Sequence, residues 1–229
     1  MKIGAFQKFS LNEYPGKISA IIFTQGCNFR CPYCHNPELV KKELFQEPIP
    51  EKEFFFFLNK RQHKLDAVSI TGGEPTLHSD LPDFIFKIKS MGFLVKLDTN
   101  GSNPQMLTNL IQLNLLDYIA MDIKAPLEKY DKVTNVKVNH KAISESIDII
   151  KNSQVEYEFR STLTEKLLSN EEIINIGKLL GNAKRFYLQN FVFNKTLDDK
   201  FESAKSISTE RCIFLMKVLK TNFLEFAIR

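Results

Sequence analysis

The sequence predicts an α/β fold, an incomplete (β/α)6 barrel. Three observations predict it. Short apolar runs rich in β-branched and aromatic residues alternate with longer helical patterns, as in a parallel sheet covered by helices. Right-handed crossovers curl such a sheet towards a barrel, and 229 residues fall short of the roughly 250 typical of a closed eight-fold barrel. Polar punctuation follows each of the first four strands, where such folds gather their active residues.

The elements follow in order. "KISAIIFT" (17–24) reads as a strand that ends just before a cysteine-rich loop, and "EKEFFFFLNKRQ" (51–62) as a helix. Phe54, Phe57 and Leu58 share one face of that helix and are expected in the core, whereas Phe55 and Phe56 point elsewhere. "DAVSIT" (66–71) is the second strand, and "LPDFIFKIKSMG" (81–92) a helix closed by Gly92. "FLVKLDT" (93–99) precedes a helix at 103–114, and "DYIAMDIK" (117–124) a helix near 140–152. "VEYEFRSTL" (155–163) precedes a helix at 170–180, and "AKRFYLQNF" (183–191) is the sixth strand. A helix near 207–220 and a short strand, "FLEFAI", finish the chain. No repeat or long linker interrupts this order. One domain is expected over 1–229, with a core of about 15–191 and a C-terminal helix and strand over 205–229.

Composition narrows the function. A net charge of +4 without a dense Arg/Lys run does not point to nucleic acid, but suits docking of an acidic partner. The segment "MKIGAFQKFSLNEYPGK" has no apolar signal core, and no run approaches eighteen apolar residues. A cytoplasmic protein with reduced thiols, bound neither to membrane nor to nucleic acid, is expected. Of four cysteines, three crowd into "CNFRCPYC" (27–34). Cys212, in "STERCIFLMKVLK", is expected to be a buried core thiol.

The spacing C-x-x-x-C-x-x-C lets three thiolates converge from one loop. Iron–sulfur clusters are held by cysteine thiolates, usually four, so three would leave one iron of a [4Fe–4S] cube without a protein ligand. Structural zinc is the rival and wants four ligands. His35 directly follows Cys34, and adjacent ligands rarely reach one ion without strain. Cys212 is distant and lacks the surroundings of a metal knuckle. The spacing favours iron–sulfur.

"GCNFRCPYCHNP" (26–37) resembles the signature loop of the radical S-adenosylmethionine (SAM) enzymes, with the aromatic Tyr33 before the last cysteine and "TGGEP" (71–75) after the next strand. Together, "TQGCNFRCPYCHNPEL", "ITGGEPTLH", "LDTNG" and "MDIKAP" resemble the glycyl-radical-enzyme activases, nearest to the activating protein of anaerobic (class III) ribonucleoside-triphosphate reductase. The match covers most of residues 15–125 and is looser beyond.

The resemblance implies a radical SAM core, a partial TIM-like barrel. It implies a [4Fe–4S] cluster on Cys27, Cys31 and Cys34, whose vacant iron is chelated by the amino and carboxylate groups of SAM. One electron then breaks the sulfur–C5′ bond, giving methionine and a 5′-deoxyadenosyl radical. No side-chain acid or base is required, so no catalytic residue is expected beyond cluster and SAM. Gly72 and Gly73 permit close backbone approach to a ligand, and the resemblance makes Glu74 a partner of the SAM ammonium. It places Tyr33, Cys34 and His35 against the adenine. Lys124 is expected at the SAM carboxylate or ribose, and Arg160 and Ser161 nearby. Asp98, Thr99 and Asp122 match positions that bind a monovalent cation beside SAM in related activases. The pyruvate formate-lyase activases have a SAM-contacting histidine on the sixth strand. Here "YLQNF" (187–191) offers Gln189 or Asn190 instead.

The expected reaction makes a glycyl radical on a partner enzyme, foremost class III ribonucleotide reductase, with flavodoxin or ferredoxin as electron donor. The alternatives are a pyruvate formate-lyase-type activase, a small-molecule radical SAM enzyme resembling 7-carboxy-7-deazaguanine synthase, and a zinc-stabilised adaptor without catalysis.

Overall fold

The computed structural model describes residues 1–164, 167–192, 195–201 and 206–229. Residue 205, the expected start of the C-terminal part, lies outside them. One eight-stranded sheet runs in the order β1-β2-β3-β4-β5-β6-β7-β8. Its strands are β1 (Ile3–Tyr14), β2 (Lys17–Thr24), β3 (Ala67–Gly72), β4 (Leu94–Thr99), β5 (Tyr118–Asp122), β6 (Glu156–Leu163), β7 (Arg185–Asn190) and β8 (Glu225–Ile228). All neighbours from β2 to β8 pair in parallel, and β1 pairs antiparallel with β2. The helices are α1 (Pro37–Val40), α2 (Glu51–Asn59), α3 (Leu81–Ser90), α4 (Pro104–Gln112), α5 (Tyr130–Thr134), α6 (His140–Asn152), α7 (Asn170–Leu180) and α8 (Thr209–Leu219). The ends β1 and β8 do not pair with each other, so the barrel is partial and open.

The six expected strands and their helices are present within a few residues of their expected bounds. The long β1 was not anticipated. Most of its positions are partly or fully exposed, and its pairing is broken by register shifts. Edge strands of this kind carry polar residues and bulges, so their sequence lacks an apolar run. Strands β2 to β5 do have one, because both faces are covered.

Side-chain caps set where several helices begin. Asn103 and Asn139 each accept from the backbone N–H three residues on, and Ser169 forms a reciprocal pair with Glu172. One hydrophobic core runs from Ile3 to Phe226. Phe54 and Leu58 are fully buried there; Phe57 is half-buried, Phe55 packs on Phe84, and Phe56 is exposed.

The parallel register lines up the strand ends that matter. Thr24 pairs with Gly72, Thr99 with Met121, Asp122 with Arg160, and Leu163 with Asn190. The cysteine loop, the glycine loop and the polar ends of β4 to β7 therefore open at one rim.

Candidate active site

A cavity of about 400 Å³ lies at that rim. Its walls include Cys27, Cys31, Cys34, Tyr33, His35, Gly72, Gly73, Glu74, Asp98, Thr99, Asp122 and Lys124. Eight residues that were not expected also line it, Asn100, Thr162 and Phe191 among them. Gln189 and Asn190, the two alternatives to the sixth-strand histidine, line it as well.

Backbone hydrogen bonds hold the cysteine loop in place. Gly26 N–H donates to Leu39 O at 2.8 Å, Arg30 N–H to Thr134 O at 2.8 Å, and Cys34 N–H to Cys31 O at 3.0 Å. The Arg30 guanidinium donates to the carbonyls of Cys27 and Phe29, both at 2.7 Å. From the far end of the chain, Leu197 N–H reaches Cys34 O and Asp198 N–H reaches Pro32 O. Phe29 packs edge-on against Tyr130, and Tyr33 against Phe201.

The glycine loop touches the cysteine loop backbone to backbone. Glu74 N–H donates to Gly26 O at 2.7 Å, and a Cβ on Gly73 would lie 2.0 Å from that same oxygen. Gly72 has φ of +108°, and a Cβ there would meet Thr24 N at 2.3 Å. Only glycine fits either position without moving the backbone.

Glu74 is anchored by its own chain. It is fully buried, and its Oε1 accepts from Thr99 Oγ1 at 2.7 Å and from Thr76 Oγ1 and N. Its Oε2 accepts from Asn100 N at 2.6 Å. The carboxylate thus ties the end of β3 to the end of β4, and its Oε2 accepts a single bond. Burial pushes its carboxyl above the usual range, against the pull of these donors.

The acidic pair is also anchored within the chain. Arg160 Nη2 lies 3.1 Å from Asp98 Oδ2, and Nε lies 2.8 Å from Asp122 Oδ1. Lys96 pairs with the other Asp98 oxygen, and Lys124 Nζ lies 3.0 Å from Asp122 Oδ2. The carboxylates matched to a monovalent-cation site are bridged by a guanidinium in this structure. Burial raises both carboxyls, but these cations outweigh it and hold them below the usual range. Two members missed in the sequence, Lys96 and Glu158, whose Oε1 lies 3.9 Å from Arg160 Nη1, left a signal there. Charged residues recur at every second position in "VKLDT" and "EYEFR", which on a strand means one shared face, here the barrel interior.

Ser161 stands apart. Its hydroxyl donates to Ile123 O at 2.7 Å, it is buried, and it does not line the cavity. Side chains alternate along β6, so Arg160 and Thr162 face inward and Ser161 faces the helices.

Cys27, Cys31 and Cys34 are free thiols. Burial pushes Cys27 up to about 12 and raises Cys31 and Cys34, the latter two against the charge of Lys124. Among the described residues, no three His, Cys, Asp or Glu side chains converge on a single ion. Cys212, half-buried on α8, does not line the cavity. Among the described residues, His35 Nε2 and Asn190 Oδ1 are buried without a hydrogen-bond partner, and both residues line the cavity. Such atoms point to a polar ligand. Three thiols, a glycine cradle, a lysine and unpartnered polar atoms suit a cluster with a polar organic molecule beside it.

The family model of the radical SAM superfamily matches residues 21–184. The chain belongs to that superfamily. A protein of Methanocaldococcus jannaschii, provisionally named a glycyl-radical enzyme activating enzyme, is 35% identical over 198 residues, 83% of this chain and 80% of the relative. A pyruvate formate-lyase-activating enzyme of Listeria monocytogenes is 34% identical over 136 residues, 52% of each. The fold resembles a domain of a Bacteroides vulgatus pyruvate-formate lyase-activating enzyme, with a TM-score of 0.58 at 17% identity over 72% of this chain and 99% of that one. It also resembles Streptococcus suis SuiB bound to S-adenosylmethionine, with a TM-score of 0.66 at 14% identity over 89% of this chain and 48% of that one.

This radical SAM enzyme uses a [4Fe–4S] cluster and SAM, and its cavity fits both. Cys27, Cys31 and Cys34 would hold the cluster, and Gly73, Lys124, His35 and Asn190, which line the cavity, would be the residues to hold SAM. When bound, the pair supplies one-electron cleavage of a sulfur–carbon bond, which delivers a hydrogen-abstracting carbon radical. The chain's own contribution is positional. Gly72 and Gly73 would let a ligand approach the backbone closely, the Asp98–Arg160–Asp122–Lys124 ladder would fix the charges of the cavity, and the buried Tyr33 and Phe191 would limit the entry of water.

Proposed function

We propose that the protein is a glycyl-radical-enzyme activase, which abstracts the α-hydrogen of one glycine in a partner enzyme. The relative provisionally named as such an activase supports this reading most, because similarity extends over four-fifths of both chains. The open barrel agrees with it. Val192, 69% exposed, lines the cavity at its mouth, so a partner's loop can enter from outside.

The partner we favour is class III ribonucleotide reductase, on the loop motifs over residues 15–125. Pyruvate formate-lyase is the second reading, supported by the Listeria relative. Anaerobic incubation of the cluster-loaded protein with SAM, reductant and each candidate, followed by electron paramagnetic resonance, tests both. A glycyl doublet on one candidate identifies it. SAM cleavage without a doublet on any candidate would move the assignment to a small-molecule substrate.

A further inference from the structure

A second cavity, of about 610 Å³, opens on the other side of the cysteine loop. Cys27 and Val40 line both cavities. Cys27 is therefore, among the described residues, the one cysteine of the cluster loop that forms a wall of each, while Cys31 and Cys34 face the first alone. The second cavity carries three side-chain cations, Lys2, Arg30 and Lys42. Its one carboxylate, Asp80, is already paired with the main-chain amine of Met1 at 2.5 Å. Glu43 and Glu47, on the same connection as Lys42, do not line it. Phe45 and the 47%-exposed Leu77 add apolar contact.

We infer that this cationic cavity is the docking seat of the electron donor, a small redox protein with an acidic surface. The inference rests on the cluster held by Cys27, Cys31 and Cys34, but not on the identity of the enzyme's substrate. The first cavity must hold SAM and admit the substrate, so a donor protein needs another approach to the cluster. The second cavity gives one, since Cys27 is a wall of both. The reduced carrier loses one electron at this face and the cluster gains it; no proton or group moves. Basic residues around an otherwise uncompensated patch favour an acidic partner and raise its encounter rate.

The test uses the double variant Lys2→Glu/Lys42→Glu, which leaves Arg30 and its bonds to the cysteine loop intact. Flavodoxin is the probe. Reduction of the cluster-loaded protein by reduced flavodoxin is followed by stopped-flow absorbance, and binding of oxidised flavodoxin to the protein with and without cluster by calorimetry. At low salt the variant should be reduced by flavodoxin about tenfold or more slowly. Its rate should also lose most of the salt dependence that the wild type shows, since screening shortens to about 10 Å near 0.1 M. Reduction by dithionite should be unchanged. Equal flavodoxin rates and affinities in variant and wild type would overturn the proposal. So would unchanged flavodoxin reduction with impaired radical formation on the glycyl-radical enzyme, which would make the face that partner's seat. Loss of dithionite reduction in the variant would also count against it, since the lysines would then be supporting the cluster itself.

Discussion

Gly73→Ala tests the claim that two loops meet with no room for a side chain. The new Cβ would sit 2.0 Å from Gly26 O, 2.7 Å from Gly26 C and 3.2 Å from Gly26 N. All three are backbone atoms, so no rotamer change relieves the overlap. The loops must part, and the Glu74 N–H bond to Gly26 O, now 2.7 Å, is stretched. Overpacking of this kind costs about 1–3 kcal/mol, and a lost backbone hydrogen bond adds about 1 kcal/mol. The expected destabilisation is roughly 2–4 kcal/mol. Gly177→Ala is the control. Its Cβ would meet the Leu219 Cδ2 methyl at 2.7 Å, the movable tip of a side chain, and the change gains about 1 kcal/mol of helix propensity. Urea unfolding of the reduced apoproteins measures both, and iron and sulfide content after reconstitution reports the loop. G73A should be strongly destabilised and load cluster poorly, and G177A should do neither. A G73A protein within about 0.5 kcal/mol of wild type that loads and binds SAM normally would refute the argument.

Other outcomes follow from the same site. Replacing any one of Cys27, Cys31 or Cys34 with Ala should abolish the iron–sulfur absorbance, whereas Cys212→Ala should keep full iron and sulfide content; zinc in the wild type would contradict this. Arg160→Gln leaves Asp98 and Asp122 without their shared counter-charge, though Lys96 and Lys124 remain, and should cost roughly 1.5–3 kcal/mol in chemical denaturation. These two carboxyls are depressed in the folded protein, so they contribute stability above their unfolded value near about 4 and lose it as pH falls through the folded values. In R160Q the acid unfolding limb should therefore move to higher pH, and an unmoved limb would contradict the bridging role. Ser161→Ala should lower stability by about 1 kcal/mol without changing SAM affinity, whereas Lys124→Met should weaken SAM binding in equilibrium titration.

The strands, their helices and the chemistry-bearing loops were legible because each rests on local signals. Apolar runs mark strands covered on both faces, "CNFRCPYC" packs three thiols into one turn of chain, and "TGGEP" and "DTNG" punctuate strand ends. The edge strand β1 was not legible, since exposure on most of its length leaves no apolar run to read. Which polar atoms serve a ligand and which serve the scaffold was decided only by tertiary structure. The sequence does not show that Thr76, Thr99 and Asn100 converge on Glu74 from a neighbouring turn and strand. Nor does it show that Arg160 on β6 reaches both Asp98 and Asp122. Ser161 and Thr162 are adjacent in sequence, yet the pleat sends them to opposite faces. Charge and hydrogen-bonding capacity belong to a residue type, but how they are used depends on neighbours that chain topology alone brings within about 3 Å.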